Sequence, residues 1–230
     1  GKNILQHLVE KVKEACAAAE KEERFTHKIA AGDACKPRSA GGFAPAFAQG
    51  RDTDETKHDG GDSWAAGGAA AIITEPIAMT AHNRLPSRLR AWDDAGLDQL
   101  KLAADIVNSE GALLMGQVQD SGRGRHSVGR NDGAVGASAL PDDLSWTVPA
   151  ALSVAEIEDM IIDWAKGCAR LQSAGFAGVE ISAGHGHLFH QFLSPWSNRR
   201  QDHYGGDLEG RGRFLSSLIT AIRAECGYPF

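Results

Sequence analysis

The sequence predicts an α/β fold: a parallel (β/α) barrel of the TIM type, of which this chain supplies about four strand–helix units. Two observations predict it. Short apolar stretches alternate with amphipathic stretches of helical spacing. That alternation is typical of parallel sheets with right-handed crossovers. Long glycine-rich stretches follow the apolar ones, as active-site loops follow barrel strands.

The chain opens with an expected amphipathic helix over residues 3–22. Its apolar residues fall on one stripe, and Lys and Glu fill the other side. We treat residues 1–27 as this N-terminal helical segment and residues 28–230 as the N-terminal half of the barrel. The helix either packs on the domain or binds a partner. The first barrel strand is expected at residues 28–32.

The remaining units follow in order. Further strands are predicted at residues 69–74, 112–117 and 178–182. Helices are predicted weakly near 53–66, and more clearly over 94–109, from Ser153 to about Gly175, and over 208–225. Ser153 with Glu156 three residues later is a capping box, and Gly175 is a typical helix stop.

Two of these helices show their buried sides in the sequence. In the helix over 94–109, the expected apolar side is carried by Leu97, Leu100, Leu102 and Ile106. In the helix after Ser153, the apolar positions are Ile157, Met160, Ile161, Trp164, Cys168 and Leu171. A complete barrel needs about eight units in about 250 residues, so we expect either that a second chain or a second copy completes this one, or that these residues are part of something longer.

Composition excludes several classes of protein. A net charge of −6 argues against nucleic acid or an anionic membrane as the main partner. No apolar run is long enough to span a bilayer, and the first residues lack a secretory pattern. The four cysteines are widely spaced, with no CxxC pair. We therefore expect a cytoplasmic protein that acts on a small molecule.

Polar chemistry is concentrated after the predicted strand at 178–182. Ser182, His185, His187 and His190 follow it closely, and Asp120 follows the preceding strand. Catalytic groups gather at the carboxyl ends of barrel strands, so Ser182, His185, His187 and Asp120 are candidates for acid–base work, while His190 is expected on the return face of the loop. The histidines lack a carboxylate or cysteine at a zinc-binding spacing, so no metal site is predicted.

Several motifs carry a family resemblance. Residues 117–123 read Gln-Val-Gln-Asp-Ser-Gly-Arg, and residues 192–195 read Phe-Leu-Ser-Pro. Residues 198–206 follow the pattern Asn-x-Arg-x-Asp-x-Tyr-Gly-Gly, and residues 211–214 read Arg-Gly-Arg-Phe. The chain resembles the N-terminal half of the Old Yellow Enzyme family. That resemblance implies a TIM barrel, bound FMN and NAD(P)H as reductant.

The resemblance also implies a cofactor site. Ala34 and Cys35 match the end of the family's first strand, where one branch carries a cysteine beside the flavin. Pro76 ends the second strand, whose following residues pack near the flavin. Gln117 matches a glutamine that hydrogen-bonds the flavin's pyrimidine edge, while Asp120 takes the place of a histidine.

Catalytic positions follow from the same resemblance. The family's substrate-polarising pair and its proton donor fall on Ser182, His185 and His187, so one member of the pair is kept and the tyrosine donor is a histidine. The His187-Leu188 pair is similar to a demethylase-like branch. The motif over 198–206 is expected to be scaffold, in which Asp202 and the arginines fix the loop by charge-assisted hydrogen bonds.

Three functions remain open at this point. The first is an FMN-dependent oxidoreductase that reduces an activated alkene, or oxidises or demethylates an amine. The second is a flavin-free relative that uses Ser182, His185, His187 and Asp120 for isomerisation or cyclisation. Asp33, which replaces a family proline, favours it because a carboxylate there would oppose the negative charge of reduced flavin. The third is a non-catalytic half-barrel subunit.

Overall fold

The computed structural model describes residues 61–83, 89–124, 133–142 and 147–230. Its helices are α1 (Gly61–Ala66), α2 (Leu97–Ser109), α3 (Val154–Ser173), α4 (Leu188–Leu193) and α5 (Leu208–Cys226). Its strands are β1 (Ala71–Ile73), β2 (Ile77–Ala78), β3 (Leu113–Gln119), β4 (Val135–Gly136), β5 (Ala150–Ala151) and β6 (Gly178–Ile181). The helix expected over 3–22 and the strand expected at 28–32 lie outside the described residues.

The main sheet is parallel and is built around β3. β1 pairs with residues 113–115 of β3, and β2 pairs with residues 118–119. β6 pairs with β3 from Met115 to Val118. The carbonyl of Met115 accepts from the Thr74 N–H at 3.0 Å, and that of Leu114 accepts from the Ala177 N–H at 2.8 Å. Because neighbouring carbonyls point to opposite edges of a strand, β6 lies on the edge of β3 opposite β1 and β2.

β1 and β2 act as one strand with a break between them. Pro76 lies in the break and has no N–H to donate to the ladder. Across the break, the Gln117 N–H donates to the Thr74 hydroxyl at 3.1 Å instead of to a backbone carbonyl. The predicted strands at 69–74, 112–117 and 178–182 are therefore confirmed, and β2 continues the first of them beyond its predicted end.

One face of the sheet packs against the helices. Leu114 and Val118 of β3 are fully buried on this face. Between them is Gly116, where an added Cβ would lie 3.1 Å from Leu171 of α3 and 3.1 Å from Ile77. Since strand side chains alternate, Gln117 and its neighbour in register, Glu180, point to the opposite face. That opposite face corresponds to the interior of a barrel.

The helices begin and end largely where the sequence predicts. Ser153 and Glu156 form the capping box of α3, and the six predicted apolar positions of that helix are all buried. The prediction for α2 was partly wrong, because Leu102 is 56% exposed. The buried side of α2 is instead formed by Leu100, Ala103, Ala104 and Val107. Small residues there allow the helix to approach the sheet closely.

Some short elements were not predicted. α4 and the parallel pair of β4 with β5 lie where the sequence predicted no helix or strand. Two-residue strands carry no period that a sequence could show. Among the described residues, no helix combines the length and the apolar character needed to cross a membrane.

A close backbone approach fixes the start of α5. Asp207 caps the helix by accepting from the Gly210 N–H at 2.8 Å. At Gly210, an added Cβ would lie 2.0 Å from the Gly205 carbonyl oxygen. Only glycine therefore allows the loop to pack on the first turn of the helix. At Gly212, two residues further along the same helix, an added Cβ would have no heavy atom within 4 Å.

These two glycines give a matched test of the packing. We expect Gly210→Ala to lower the free energy of unfolding by about 1–3 kcal/mol, because the loop must shift away from the new methyl group. Gly212→Ala should raise it by up to about 1 kcal/mol, because alanine favours a helix and meets no neighbour. Thermal and urea unfolding measure both. Equal effects of the two substitutions would contradict the packing of the loop on α5.

Candidate active site

The carboxyl ends of the three neighbouring strands form one rim. Thr80 follows β2, Asp120 follows β3 and Ser182 follows β6. The ladder extends to this rim, because the Ser182 N–H donates to the Val118 carbonyl at 3.0 Å. Polar side chains from three separate parts of the sequence are therefore gathered at one edge of the sheet. This is where barrels of this type hold their functional groups.

The loop after β6 turns sharply at His185. His185 has φ of 59° and Gly186 has φ of 74°, so two consecutive residues are in the left-handed region. A residue other than glycine in this region is uncommon and is strained, and such residues cluster at functional sites. His185 is exposed to solvent. The turn therefore leaves His185 accessible to solvent at the rim.

His187 occupies a different environment from His185. It is 4% exposed and lies at the N-cap position of α4. The centroids of the two imidazole rings are 6.0 Å apart. The next residue ties this loop to β3, because the Leu188 N–H donates to the Asp120 carbonyl at 3.0 Å. The structure thus brings Ser182, His185, His187 and Asp120 together at the rim, as the sequence predicted, while their catalytic roles stay predictions.

Asp120 is buried and fully engaged. It is only 2% exposed, so its carboxylate is shielded from solvent. Its Oδ1 accepts from the Gly122 N–H at 2.7 Å. Its Oδ2 accepts from the Thr80 hydroxyl at 3.2 Å and contacts His82 Nε2 at 2.7 Å. Buried carboxylates need such donors, and here they come from the ends of two strands.

His82 is the exposed member of this buried pair. It lies in a short 3₁₀ turn, Ala81–Asn83, and its side chain keeps 31% of its surface exposed. Burial lowers the pKa of His82, but the hydrogen bond and the negative charge of Asp120 raise it, and the net shift is upward from 6.5. The imidazolium form is therefore retained to a higher pH than in a free histidine and is lost as the pH rises through the raised pKa.

A second polar pair lies on the interior face of the sheet. Gln117 and Glu180 are partners in register, and Gln117 Nε2 donates to Glu180 Oε1 at 2.7 Å. Both residues are half-buried. The carboxylate fixes the orientation of the amide, because it can accept only from the nitrogen side of the glutamine. Glu180 accepts one of the two amide hydrogens of Gln117. The contact thereby also fixes the direction of the second amide hydrogen and of the amide oxygen.

Gln191 of α4 joins the two loops of the rim. Its Nε2 donates to the Gly186 carbonyl at 2.7 Å and to the Ser121 carbonyl at 3.3 Å. Its Oε1 accepts from the Arg123 N–H at 3.4 Å. Gln191 is only 2% exposed. An added Cβ at Gly122 would lie 2.6 Å from its amide nitrogen, so the glycine leaves room for this side chain.

The motif over 198–206 acts as scaffold, as the sequence suggested. Arg200 donates to Asp202 through Nε at 3.0 Å and through Nη2 at 2.6 Å, and its Nη1 donates to the carbonyls of Ala137 and Leu152. The Arg200 hydrogen bond lowers the pKa of Asp202. Asn198 Nδ2 donates at 2.8 Å to the carbonyls of Phe192 and Tyr204. These bonds hold the loop that leads into α5.

His190 lies on the outer side of the loop. It is exposed, and its Nδ1 accepts from the Gly186 N–H at 2.9 Å. Within the described ranges, no three side chains of the His, Cys, Asp and Glu types are close enough together to hold a metal ion.

The cofactor residues are only partly covered by the structure. Pro76 lies in the break between β1 and β2, half-buried, and Gln117 lies on the interior face. Ala34 and Cys35 are outside the described residues. Sequence reasoning missed His82, Glu180 and Gln191. Only the register of the strands could have indicated Glu180, since it stands opposite Gln117.

Comparison with known proteins identifies a family. The model of the NADH:flavin oxidoreductase / NADH oxidase family matches residues 61–229. An NADPH dehydrogenase of Geobacillus sp. (strain WCH70) is 39% identical over 160 residues, which cover 69% of this chain and 46% of that protein. A metal reductase of Desulforamulus reducens is 36% identical over 167 residues, which cover 72% of this chain and 25% of that protein.

Solved structures of two reductases also match this chain. A complex of 2-naphthoyl-CoA reductase with 2-naphthoyl-CoA matches with a TM-score of 0.66 and 28% identity, over 72% of this chain and 27% of that one. Morphinone reductase matches with a TM-score of 0.65 and 26% identity, over 71% of this chain and 48% of that one. The chain thus spans about half the length of the NADPH dehydrogenase and a quarter of the metal reductase.

The bridge made by Gln191 can be tested on stability. We expect Gln191→Ala to lower the free energy of unfolding by about 1–3 kcal/mol, because it removes the donor for two carbonyls in a buried position. Gln172→Ala is the control, since Gln172 makes one exposed bond, to the Cys226 carbonyl at 2.9 Å. Urea unfolding measures both. Similar small losses from the two variants would contradict the role of Gln191.

Proposed function

Because the chain belongs to the NADH:flavin oxidoreductase / NADH oxidase family, we propose that it works as an FMN-dependent oxidoreductase that reduces an activated alkene with NAD(P)H. The observation that supports this most is the strand-end rim. It gathers Ser182, His185 and His187 beside the interior face that carries Gln117. Since the chain spans about half of its NADPH dehydrogenase relatives, the activity of the whole protein is part of this proposal.

The described residues fit one part of FMN. The pyrimidine edge of a flavin presents an N–H donor between two carbonyl acceptors, and a carboxamide can meet it with one acceptor and one donor. Gln117 offers this pair of groups, because Glu180 takes only one of the two amide hydrogens, at 2.7 Å. FMN, when bound, would carry the hydride between NAD(P)H and the substrate.

In this proposal His185 binds the oxygen of the substrate. An activated alkene gains negative charge on its carbonyl oxygen as hydride adds, and a hydrogen-bond donor stabilises that charge. His185 lies in the left-handed turn at the rim and is exposed, so a small molecule can reach it. Ser182, which begins the same loop directly after β6, would supply a second and weaker donor.

A flavin-free acid–base enzyme is the second candidate. The observation that favours it is the buried contact between Asp120 and His82 at 2.7 Å, an arrangement that orients an imidazole for proton transfer. Isomerisation or cyclisation of a small molecule would then use Asp120 with Ser182, His185 and His187. Amine oxidation is a further variant of the flavin reaction. Bound flavin in the purified protein separates the two candidates.

The interior face also bears on assembly. Ile73 and Met115 lie on that face with Gln117 and Glu180, and all four side chains remain partly accessible in the described part of the chain. Additional strands would cover these apolar groups and close the barrel. A second chain or copy that supplies them, and a cytoplasmic location, remain predictions. Native mass spectrometry would detect such a partner.

The cofactor contact can be tested at Gln117. Gln117→Leu should weaken FMN binding by about 1–3 kcal/mol, because the variant removes the hydrogen bonds that would satisfy the pyrimidine edge. Fluorescence quenching on titration with FMN measures the dissociation constant. Gln119→Leu is not a suitable control because Gln119 is buried, so Gln172→Leu, on the exposed side of α3, serves instead. A protein that is colourless and binds no added FMN would contradict the proposal.

The role of His185 can be tested on turnover. His185→Ala should lower turnover of NADPH with 2-cyclohexen-1-one by roughly 10²-fold, as expected when one donor to a developing negative charge is lost. The protein should keep its fold, since the imidazole is exposed. His190→Ala is the matched control and should have a much smaller effect. Equal and small effects from both, with unchanged melting, would place the catalytic site elsewhere.

A further inference from the structure

His82 and Asp120 form a pair that the proposed reaction has not yet used. Asp120 is 2% exposed, and its Oδ2 lies 2.7 Å from His82 Nε2. Thr80 strengthens the arrangement, because its hydroxyl donates to the same oxygen at 3.2 Å. The carboxylate therefore fixes both the position of the ring and the nitrogen that faces it. Asp120 faces Nε2, so Nδ1 is the ring nitrogen that does not face the carboxylate.

The pair belongs to the same rim as the other site residues. Ala78 and Gln119 are partners in register, so the turn after β2 and the turn after β3 leave the sheet at the same level. The main chain of Asp120 continues the connection, since its carbonyl accepts from the Leu188 N–H at 3.0 Å. Asp120 thus contacts His82 with its side chain and, with its backbone, Leu188, which directly follows the His185–His187 loop.

Exposure distinguishes His82 from His187. His187 stands where the family has its proton donor, but it is 4% exposed in this chain. A proton donor must be reloaded from water after each turnover, and His82 can be reloaded directly because its side chain is 31% exposed. The negative charge of Asp120 also favours the protonated imidazole, which is the form that can donate.

We propose that His82, positioned by Asp120, is a catalytic proton donor to the substrate. This rests on the proposed function. In the reduction of an activated alkene, the hydride from NAD(P)H forms a bond to the β-carbon and the C=C electron pair moves toward the carbonyl. The Nδ1–H bond of His82 then breaks, and its proton forms the new C–H bond at the α-carbon. Water returns a proton to the imidazole.

The test separates the proton-dependent step from the reduction of the flavin. His82→Gln keeps an N–H donor for Asp120, so we expect the protein to fold with unchanged melting. In stopped-flow experiments on the protein with bound FMN, reduction by NADPH should proceed at the wild-type rate. Reoxidation by 2-cyclohexen-1-one should be roughly 10²-fold slower, as for the loss of a general acid. His203→Gln, at an exposed histidine in the loop before α5, should change neither rate.

The pH dependence adds a readout that a structural role would not change. Among the described residues, Asp120 is the charged group that acts on His82, and Thr80 contributes an uncharged hydroxyl. The wild-type reoxidation rate should fall as the pH rises through the raised pKa of His82. In His82→Gln this fall of the reoxidation rate should be absent, and in Asp120→Asn it should occur at lower pH. An NMR titration of the His82 ring, without any substrate, should show the same move of its pKa to lower pH in Asp120→Asn.

The outcomes are distinguishable. If His82→Gln reoxidises at the wild-type rate with the wild-type pH profile, the role of His82 is overturned while the proposed function stands. If the wild-type protein binds FMN but does not transfer hydride to the alkene, the proposed function fails, and the role of His82 fails with it. Because Asp120→Asn removes a buried charge and can prevent folding, the His82→Gln result decides.

Discussion

The site exists because β3 is paired in parallel on both of its edges. Parallel pairing brings the carboxyl ends of neighbouring strands to the same side of the sheet. Pairing on both edges leaves β3 no freedom to slip, since a shift of one residue would exchange its two faces. It would bury Gln117 among the helices and expose Val118, which is fully buried. The polar rim is thus a consequence of the apolar face below it.

Beyond the ends of the strands, buried polar side chains hold the loops in place. The loops have few backbone partners of their own, and Gln191, Arg200 and Asn198 supply donors to their carbonyls. Each of these side chains bonds to two or more separate segments, so each one fixes a relative position rather than a local turn. Such networks are rigid when every member is satisfied. This rigidity allows a strained turn such as that at His185 to persist.

The sequence predicted the long periodic elements well and the short ones poorly. α3 and β3 carry enough residues for a clear period, whereas β4 and β5 carry two each. For α2 the apolar residues were visible, but the buried side is set by small residues that fit close to the sheet, so Leu102 was misplaced. Periodicity gives the existence of a helix more reliably than its exact buried face.

The same limit applies to the site. Ser182 and Asp120 could be predicted because they directly follow strands, and His185 because it lies in the loop after one. His82 could not be, because its partner Asp120 is 38 residues away and only the strand register brings them together. Gln191 was not singled out from the sequence, and only the fold shows which carbonyls it reaches.

The break between β1 and β2 has a consequence for evolution. Thr74 supplies a hydroxyl to the backbone N–H of Gln117, so this bond depends on the side chain at one position and on the main chain at the other. Any residue other than proline at position 117 supplies the same N–H, so this bond is lost through a change at position 74 to a side chain that lacks an acceptor. Covariation between the two positions cannot report it. Contacts of this kind are invisible to methods that infer proximity from correlated substitutions.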